Sequence, residues 1–439
     1  MSGLTAPTRL AQHLAALDRV PLRLTGRLTR VSPLALEAVL AGLRLGDLVE
    51  VERPGRPLLT EVVGLHQDQA VLMPLGDPAG VGLDAEVRPR GAPLTVEVGE
   101  PLLGWVLDGL GHPIDGGPPL PRLEPWPVDR PAPHPLTRRR VTEPLVLGLR
   151  VLDGLLTAGR GQRLGLFAGA GVGKSTLLGQ IARGARSDLA VICLVGERGR
   201  EVREFVEESL GPEGLARSVV VVATSDAPAL VRLRAAQVAT AIAEWFAERG
   251  AEVLFLLDSV TRFARAQREV GLAAGEPPAR QGYPASVFQA LPRLLERTGN
   301  RAGGGISAIY TVLVAGGDLD EPIADEVRSL LDGHVVLDRG LAERGHFPAV
   351  DVLASVSRVM PRVTSAAHQI AAARVRVLLA ALRQSRDLVQ LGAYQPGSDS
   401  QTDLALARRA GLEAFLRQAA GEVAPLEDTL ARLAELAAW

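Results

Sequence analysis

The chain is short of cysteine, lysine and aromatic residues, and each shortage narrows what it can be. One cysteine, Cys193, stands among 439 residues. It lies in the apolar run AVICLV and is expected in the core. A single thiol excludes an internal disulfide and a cysteine-rich metal site, and it fits a reducing compartment. No apolar run reaches the ~18 residues that a membrane-spanning helix needs, and the N-terminus lacks a signal-peptide pattern. The expected location is the cytoplasm. A formal net charge of −2 argues against a generally basic nucleic-acid-binding surface. Residues 21–97 contain no Phe, Tyr or Trp, which removes a base-stacking platform from that stretch.

Lysine is the scarcest functional type. Of 48 lysine and arginine residues, only Lys174 is a lysine. It sits in LGLFAGAGVGKSTLL, residues 164–178, which reads as a buried strand, a glycine-rich turn and the start of a helix. Such a turn wraps phosphates in backbone N–H groups at a helix N-terminus. Its lysine must reach the β- and γ-phosphates as a compact, rotatable charge, where a planar guanidinium does not fit. Gly169, Ala170, Gly171, Val172, Gly173, Lys174, Ser175 and Thr176 are the expected phosphate-binding set, with the Ser175 hydroxyl placed for Mg2+. The pattern G-x-x-x-x-G-K-[ST] is met except at its first position, Ala168, and alanine is small enough to make the departure minor. ATP and Mg2+ are the expected ligands.

The chain has what a large soluble protein needs around this turn. Its length suggests about three domains, and 47% of it is hydrophobic, enough for a sizeable core. Residues 5–18 place Leu10, Leu14 and Leu17 on one helical stripe; this arm either docks a partner or packs on its own domain. From 21 to 97, runs such as LVEVE and LLTEVVGL between Gly, Pro and Asp turns predict a small β-barrel, with Arg27, Arg30, Arg44, Arg53 and Arg56 on a solvated face. A proline-dense connection over 111–135 follows, then the run Arg138-Arg139-Arg140, read as solvated charge. Apolar strands ending near 168, 195, 224 and 258 alternate with helices, and a further strand is expected over 306–315. That alternation predicts an α/β fold with a parallel sheet covered on both faces. Beyond 361, helices near 365–390, 402–420 and 425–437 make a small C-terminal domain. The expected organisation is an arm over 1–20, a barrel over 21–97, an α/β P-loop domain over 98–360 and a helical domain over 361–439.

Ligands of parallel sheets sit at the carboxyl ends of the strands. Asp258 closes the run VLFLLD and is expected to hold Mg2+. Glu197, in LVGERGREVREF, is expected to come from the strand adjacent to the P-loop strand and to orient the attacking water. Arg198 and Arg200 either hold Glu197, touch phosphate or stay at the surface.

Three long stretches carry a resemblance: LVGERGREVREF, LLDSVTRFARAQREVGLAAGEPPARQGYPASVF and DGHVVLDRGLAERGHFPAVDVLASVSRVMPRV, with GAYQPGSD at 392–399. From about residue 22 onward the chain resembles the protein-secretion ATPases of the flagellum and the injectisome, relatives of the catalytic subunit of rotary ATP synthases, which implies that the P-loop domain over 98–360 is RecA-like. The resemblance implies that Glu197 is the catalytic carboxylate and that Arg358 is an arginine finger reaching the neighbouring subunit's nucleotide. It implies that Arg262 is a second basic residue near the phosphates and that Phe347 stacks on adenine. Tyr394 is expected on the other side of the base. It further implies a homohexamer, a central coiled-coil stalk facing the Val270–Tyr283 loop, and a peripheral stator on the N-terminal arm. Export chaperone–substrate complexes and an export gate at the cytoplasmic face of the inner membrane are the remaining expected partners, with no nucleic acid. The wording leans toward the injectisome type, with the flagellar type as alternative.

Two rivals belong to other classes. A non-catalytic nucleotide-binding subunit of a rotary complex is disfavoured by Glu197. An RNA-translocating hexamer is disfavoured by the missing aromatics of the barrel.

Overall fold

The computed structural model describes residues 24–67, 69–117 and 120–439; the arm expected over residues 5–18 lies outside them. The short alternating runs fold as expected into a closed barrel. Its six strands, Gly26–Val31, Leu36–Val39, Leu48–Val51, Leu58–His66, Gln69–Pro74 and Glu86–Pro89, close in the order first, second, fifth, fourth, third, sixth. Closure removes free sheet edges. Leu36, Val49, Val51, Leu72 and Val87 are fully buried inside it, each contributing about 2 kcal/mol relative to exposure. Arg27, Arg30, Arg44 and Arg56 are exposed as expected. Arg53 instead donates to the carbonyls of Arg56, Asp77 and Ala79 and ties two turns together.

A second compact unit begins at Thr95. Its main sheet runs, from one edge, Val350–Ser357, Gly333–Leu337, Arg163–Ala168, Gly305–Leu313, Glu252–Asp258, Leu189–Val195, Ser218–Ala223 and Val106–Asp108. Only the Val350–Ser357 edge strand and the short Gly299–Asn300 pairing are antiparallel. Leu189–Val195 and Ser218–Ala223 are buried at every position, which is why they read as unbroken apolar runs. The helix Ala229–Glu248 covers one face of the three strands that start at Leu189, Ser218 and Glu252. Cys193 is completely buried, and burial pushes its thiol pKa well above the usual range.

The structure corrects four expectations. The strand before Glu197 is not adjacent to the P-loop strand: Gly305–Leu313 and Glu252–Asp258 lie between them. The proline-dense connection contributes a strand, Glu124–Pro127, which pairs with Thr95–Val98 in a two-stranded sheet where missing proline N–H groups leave no central ladder incomplete. Arg138 and Arg139 are fasteners: Arg138 donates to the Thr298 carbonyl at 2.6 Å, and Arg139 to Glu252 at 3.0 Å and to the Arg301 carbonyl. The helix expected over 402–420 is two helices, Ser400–Ala407 and Arg409–Leu416, after which Arg417 turns to extended backbone.

Arginine also builds a deeply buried polar cluster. Glu244, 1% exposed, receives both ends of the Arg297 fork at 3.0 and 2.8 Å, and Arg301 at 3.0 Å. A carboxylate this buried requires such bidentate partners. The C-terminal helices share one hydrophobic cluster with the P-loop strand, through Leu412, Phe415 and Leu433. No described helix is long and apolar enough to cross a membrane.

Candidate active site

Two glycines permit the phosphate turn. Gly171 and Gly173 have φ of +76° and +83°, left-handed values that L side chains resist. At Gly173 an added Cβ would also stand 3.2 Å from the Phe347 ring. The helix Lys174–Gly184 starts at once after it. Its first-turn N–H groups have no intrahelical acceptor, and its dipole favours an anion at this end.

Lys174, Asp258 and Glu197 converge at this turn. The Lys174 ammonium pairs with Asp258 and lies 3.4 Å from Glu197 Oε1. Arg262, on the helix Val260–Ala273, holds the other Glu197 oxygen at 2.7 Å. Gly196, at φ +70°, lets the chain turn here, and a side chain on it would meet Arg262 at 2.9 Å. Asp258 is 3% and Glu197 8% exposed, and each of these buried carboxylates is paired with a cationic side chain, as burial of a charge demands. Asp258 also accepts from the Thr311 hydroxyl at 2.7 Å. Sequence reasoning missed Thr311; its signal is a hydroxyl near the carboxyl end of a mostly apolar strand. Ser175 is exposed on the first helical turn.

Beside the turn opens a cavity of about 610 Å³ lined by Gly171, Gly173 and Thr176 at one end and Phe347, Arg417 and Ala419 at the other. That volume suits a nucleotide-sized ligand. Phe347 is 44% exposed, its ring bare on the cavity side. The opposite wall is the 417–420 loop, which sequence reasoning had placed in a helix. His346, next to Phe347, has its pKa lowered by burial and by Arg417.

Three candidate residues lie away from this turn; the surface is one of the places expected for Arg198, and Arg358 is expected to act on a neighbouring subunit. Tyr394 lines a separate cavity, and its hydroxyl donates to Asp403 at 2.9 Å. Arg198 is at the surface, 3.4 Å from Glu201, with 79% of its side chain exposed; Arg262 does the holding. Arg358 is exposed at the opposite end of the sheet. Its N–H donates to the Asp332 carbonyl, level with the start of the P-loop strand, whereas Lys174 follows the end of that strand. Six strand residues separate the two levels, about 20 Å at the usual rise. The segment after Val270 stays helical to Ala273, and Tyr283 is buried against Phe288, so only the stretch between them forms an exposed loop.

Comparison with known proteins places this geometry. The ATP synthase alpha/beta family, nucleotide-binding domain, matches residues 148–357, and the T3SS EscN ATPase C-terminal domain matches residues 364–435. The flagellum-specific ATP synthase of Bacillus subtilis is 50% identical over 415 residues, 94% of each chain. The chain belongs to the type III secretion and flagellar ATPase family. The type 3 secretion system ATPase of Xanthomonas euvesicatoria is 49% identical over 426 residues, 96% of each chain. The structure of the assembled ATPase EscN in complex with its central stalk EscO, from the enteropathogenic E. coli type III secretion system, superposes with a TM-score of 0.88 at 43% identity. It covers 94% of this chain and all of that one. This ATPase therefore has relatives of similar identity in both export systems, and identity alone does not choose between them.

Proposed function

We propose that this ATPase works as a homohexameric ring that hydrolyses ATP to drive chaperone release and substrate unfolding in type III protein export. The observation that carries the ring is the position of Arg358. It lies a full strand length from its own phosphate turn, so this arginine can act on a nucleotide only in a neighbouring copy. In this reading Glu197, aligned by Lys174 and Arg262, accepts a hydrogen bond from the attacking water and takes its proton. Lys174 and the first-turn N–H groups hold the β- and γ-phosphates, Arg262 adds positive charge beside them, and Phe347 stacks on adenine. Ser175 and Asp258 offer the hard oxygen donors that suit Mg2+ and would hold it, where it supplies charge neutralisation to the phosphates. Arg358 of the next subunit stabilises transition-state charge. The stalk seen with EscN supports a coiled-coil stalk in this ring's channel, facing the exposed loop before Tyr283. We further assign the residue 5–18 arm to a stator and the ring to the cytoplasmic face of the inner-membrane export gate, in an injectisome with the flagellum as alternative.

The test is subunit mixing. Glu197→Gln and Arg358→Ala should each lower turnover by about 1,000-fold in homogeneous rings, with ATP binding retained. Mixed rings should regain activity, because an Arg358→Ala subunit keeps Glu197 while its Glu197→Gln neighbour keeps Arg358. Mixed rings as inactive as either parent would refute the finger in trans. Binding without hydrolysis by the unaltered protein would favour the non-catalytic subunit instead. Pulldown of stalk and stator partners separates injectisome from flagellum.

A further inference from the structure

The wall facing Phe347 is held from behind by three side chains. Arg150, 6% exposed, donates to the Phe415 carbonyl at 3.2 Å and to the Arg417 carbonyl, and its fork pairs with Glu422. Gln180 and Arg183, both on the P-loop helix, donate to the carbonyls of Ala419 at 2.8 Å and Ala420 at 2.7 Å. The Gln418 N–H donates to the Phe347 carbonyl at 2.9 Å, so the wall is also tied to the backbone of the ring it faces. Three carbonyls of the wall are thus turned to protein donors. What Ala419 and Ala420 present to the cavity is small and apolar, suited to a ring face.

We propose that Arg150, Gln180 and Arg183 form a clamp that sets the distance between the 417–420 wall and Phe347, and so act as positioning residues for the nucleobase. The inference rests on Phe347 as the base-stacking residue. Two clamp donors stand on the helix whose first turn binds phosphate. The base wall therefore moves with the phosphate turn, and a base held at one end is registered to the phosphates at the other. Arg150 ties the same wall to the helix Arg150–Leu155, beneath the C-terminal helices.

Steady-state kinetics on the full-length protein test this, with ADP and inorganic tripolyphosphate as competing inhibitors. Arg150→Met should raise the KM for ATP and the Ki for ADP by about tenfold, and Arg183→Ala by about threefold. The Ki for tripolyphosphate, which has no base, should stay within about twofold. Arg183→Lys, still able to reach one carbonyl, should restore the KM. Equal shifts for both inhibitors, or no shift for ADP, would overturn the clamp. If Arg150→Met does not fold, the more exposed Arg183→Ala carries the same comparison. An unaltered protein that binds inorganic pyrophosphate, the phosphate part of ADP, as tightly as ADP would have no base site. That result would remove the Phe347 assignment, and the clamp with it.

Discussion

At the proposed phosphate end of the cavity, eight consecutive residues supply the turn, the ammonium and the hydroxyls; at the proposed base end, Phe347 and Ala419 meet across a gap of more than seventy residues in the chain. The first end is governed by hydrogen-bond geometry at a helix N-terminus. It demands left-handed glycines, one compact cation and one hydroxyl in fixed order, so it leaves a motif. The second end needs only a ring face and a small apolar surface opposite. Many residue types meet that need, from any part of the chain, so it leaves almost none. The proposed clamp adds a third case, in which arginine and glutamine side chains act on backbone carbonyls and leave no pattern of residue types on the wall itself.

That contrast can be challenged directly. The largest effect is expected for Lys174→Arg, which keeps the charge and can still neutralise Asp258 and Glu197. If the phosphate end tolerates only a compact ammonium, turnover should fall by at least about 100-fold with the melting temperature little changed. Near-normal turnover would mean that charge alone suffices. A smaller effect is expected at the base end. Phe347→Ala should raise the KM for ATP by about tenfold, while Phe347→Tyr stays near the unaltered value; a loss in the tyrosine variant would show that shape at this end is as strict as at the other.

The smallest effect is a control remote from both ends. His112 pairs with Asp108 at 3.1 Å. The hydrogen bond to Asp108 raises the His112 pKa above its ordinary 6.5. Burial works against the Asp108 carboxylate, but hydrogen bonds from the His112 ring and from backbone N–H groups outweigh it and hold its pKa below the ordinary 3.8. A raised histidine contributes stability that is fully present below 6.5 and is lost as pH rises through its folded value. The lowered carboxylate contributes above 3.8 and is lost as pH falls through its folded value. His112→Gln should therefore lower the melting temperature by on the order of 1 °C near pH 5.5 and not above about pH 8. ATP turnover at a fixed pH should be unchanged, and a shift in KM would show that this edge of the sheet reaches the site.

The order of strands and helices, the barrel and the phosphate turn were legible from residue order, because period-two alternation, unbroken apolar runs and left-handed glycines are local demands on local residues. Lys174, Asp258 and Glu197 were legible for the same reason: each stands at a strand end or in the turn. Which strands lie side by side was not legible, and the adjacency expected for the Glu197 strand fell to two intervening strands. Nor were Thr311 beneath Asp258, the 417–420 wall, Arg262 in place of Arg198, or Arg138 and Arg139 as fasteners. Those depend on contacts between residues dozens to hundreds of positions apart, and an arginine reads the same whether its fork closes on solvent or on a buried carbonyl.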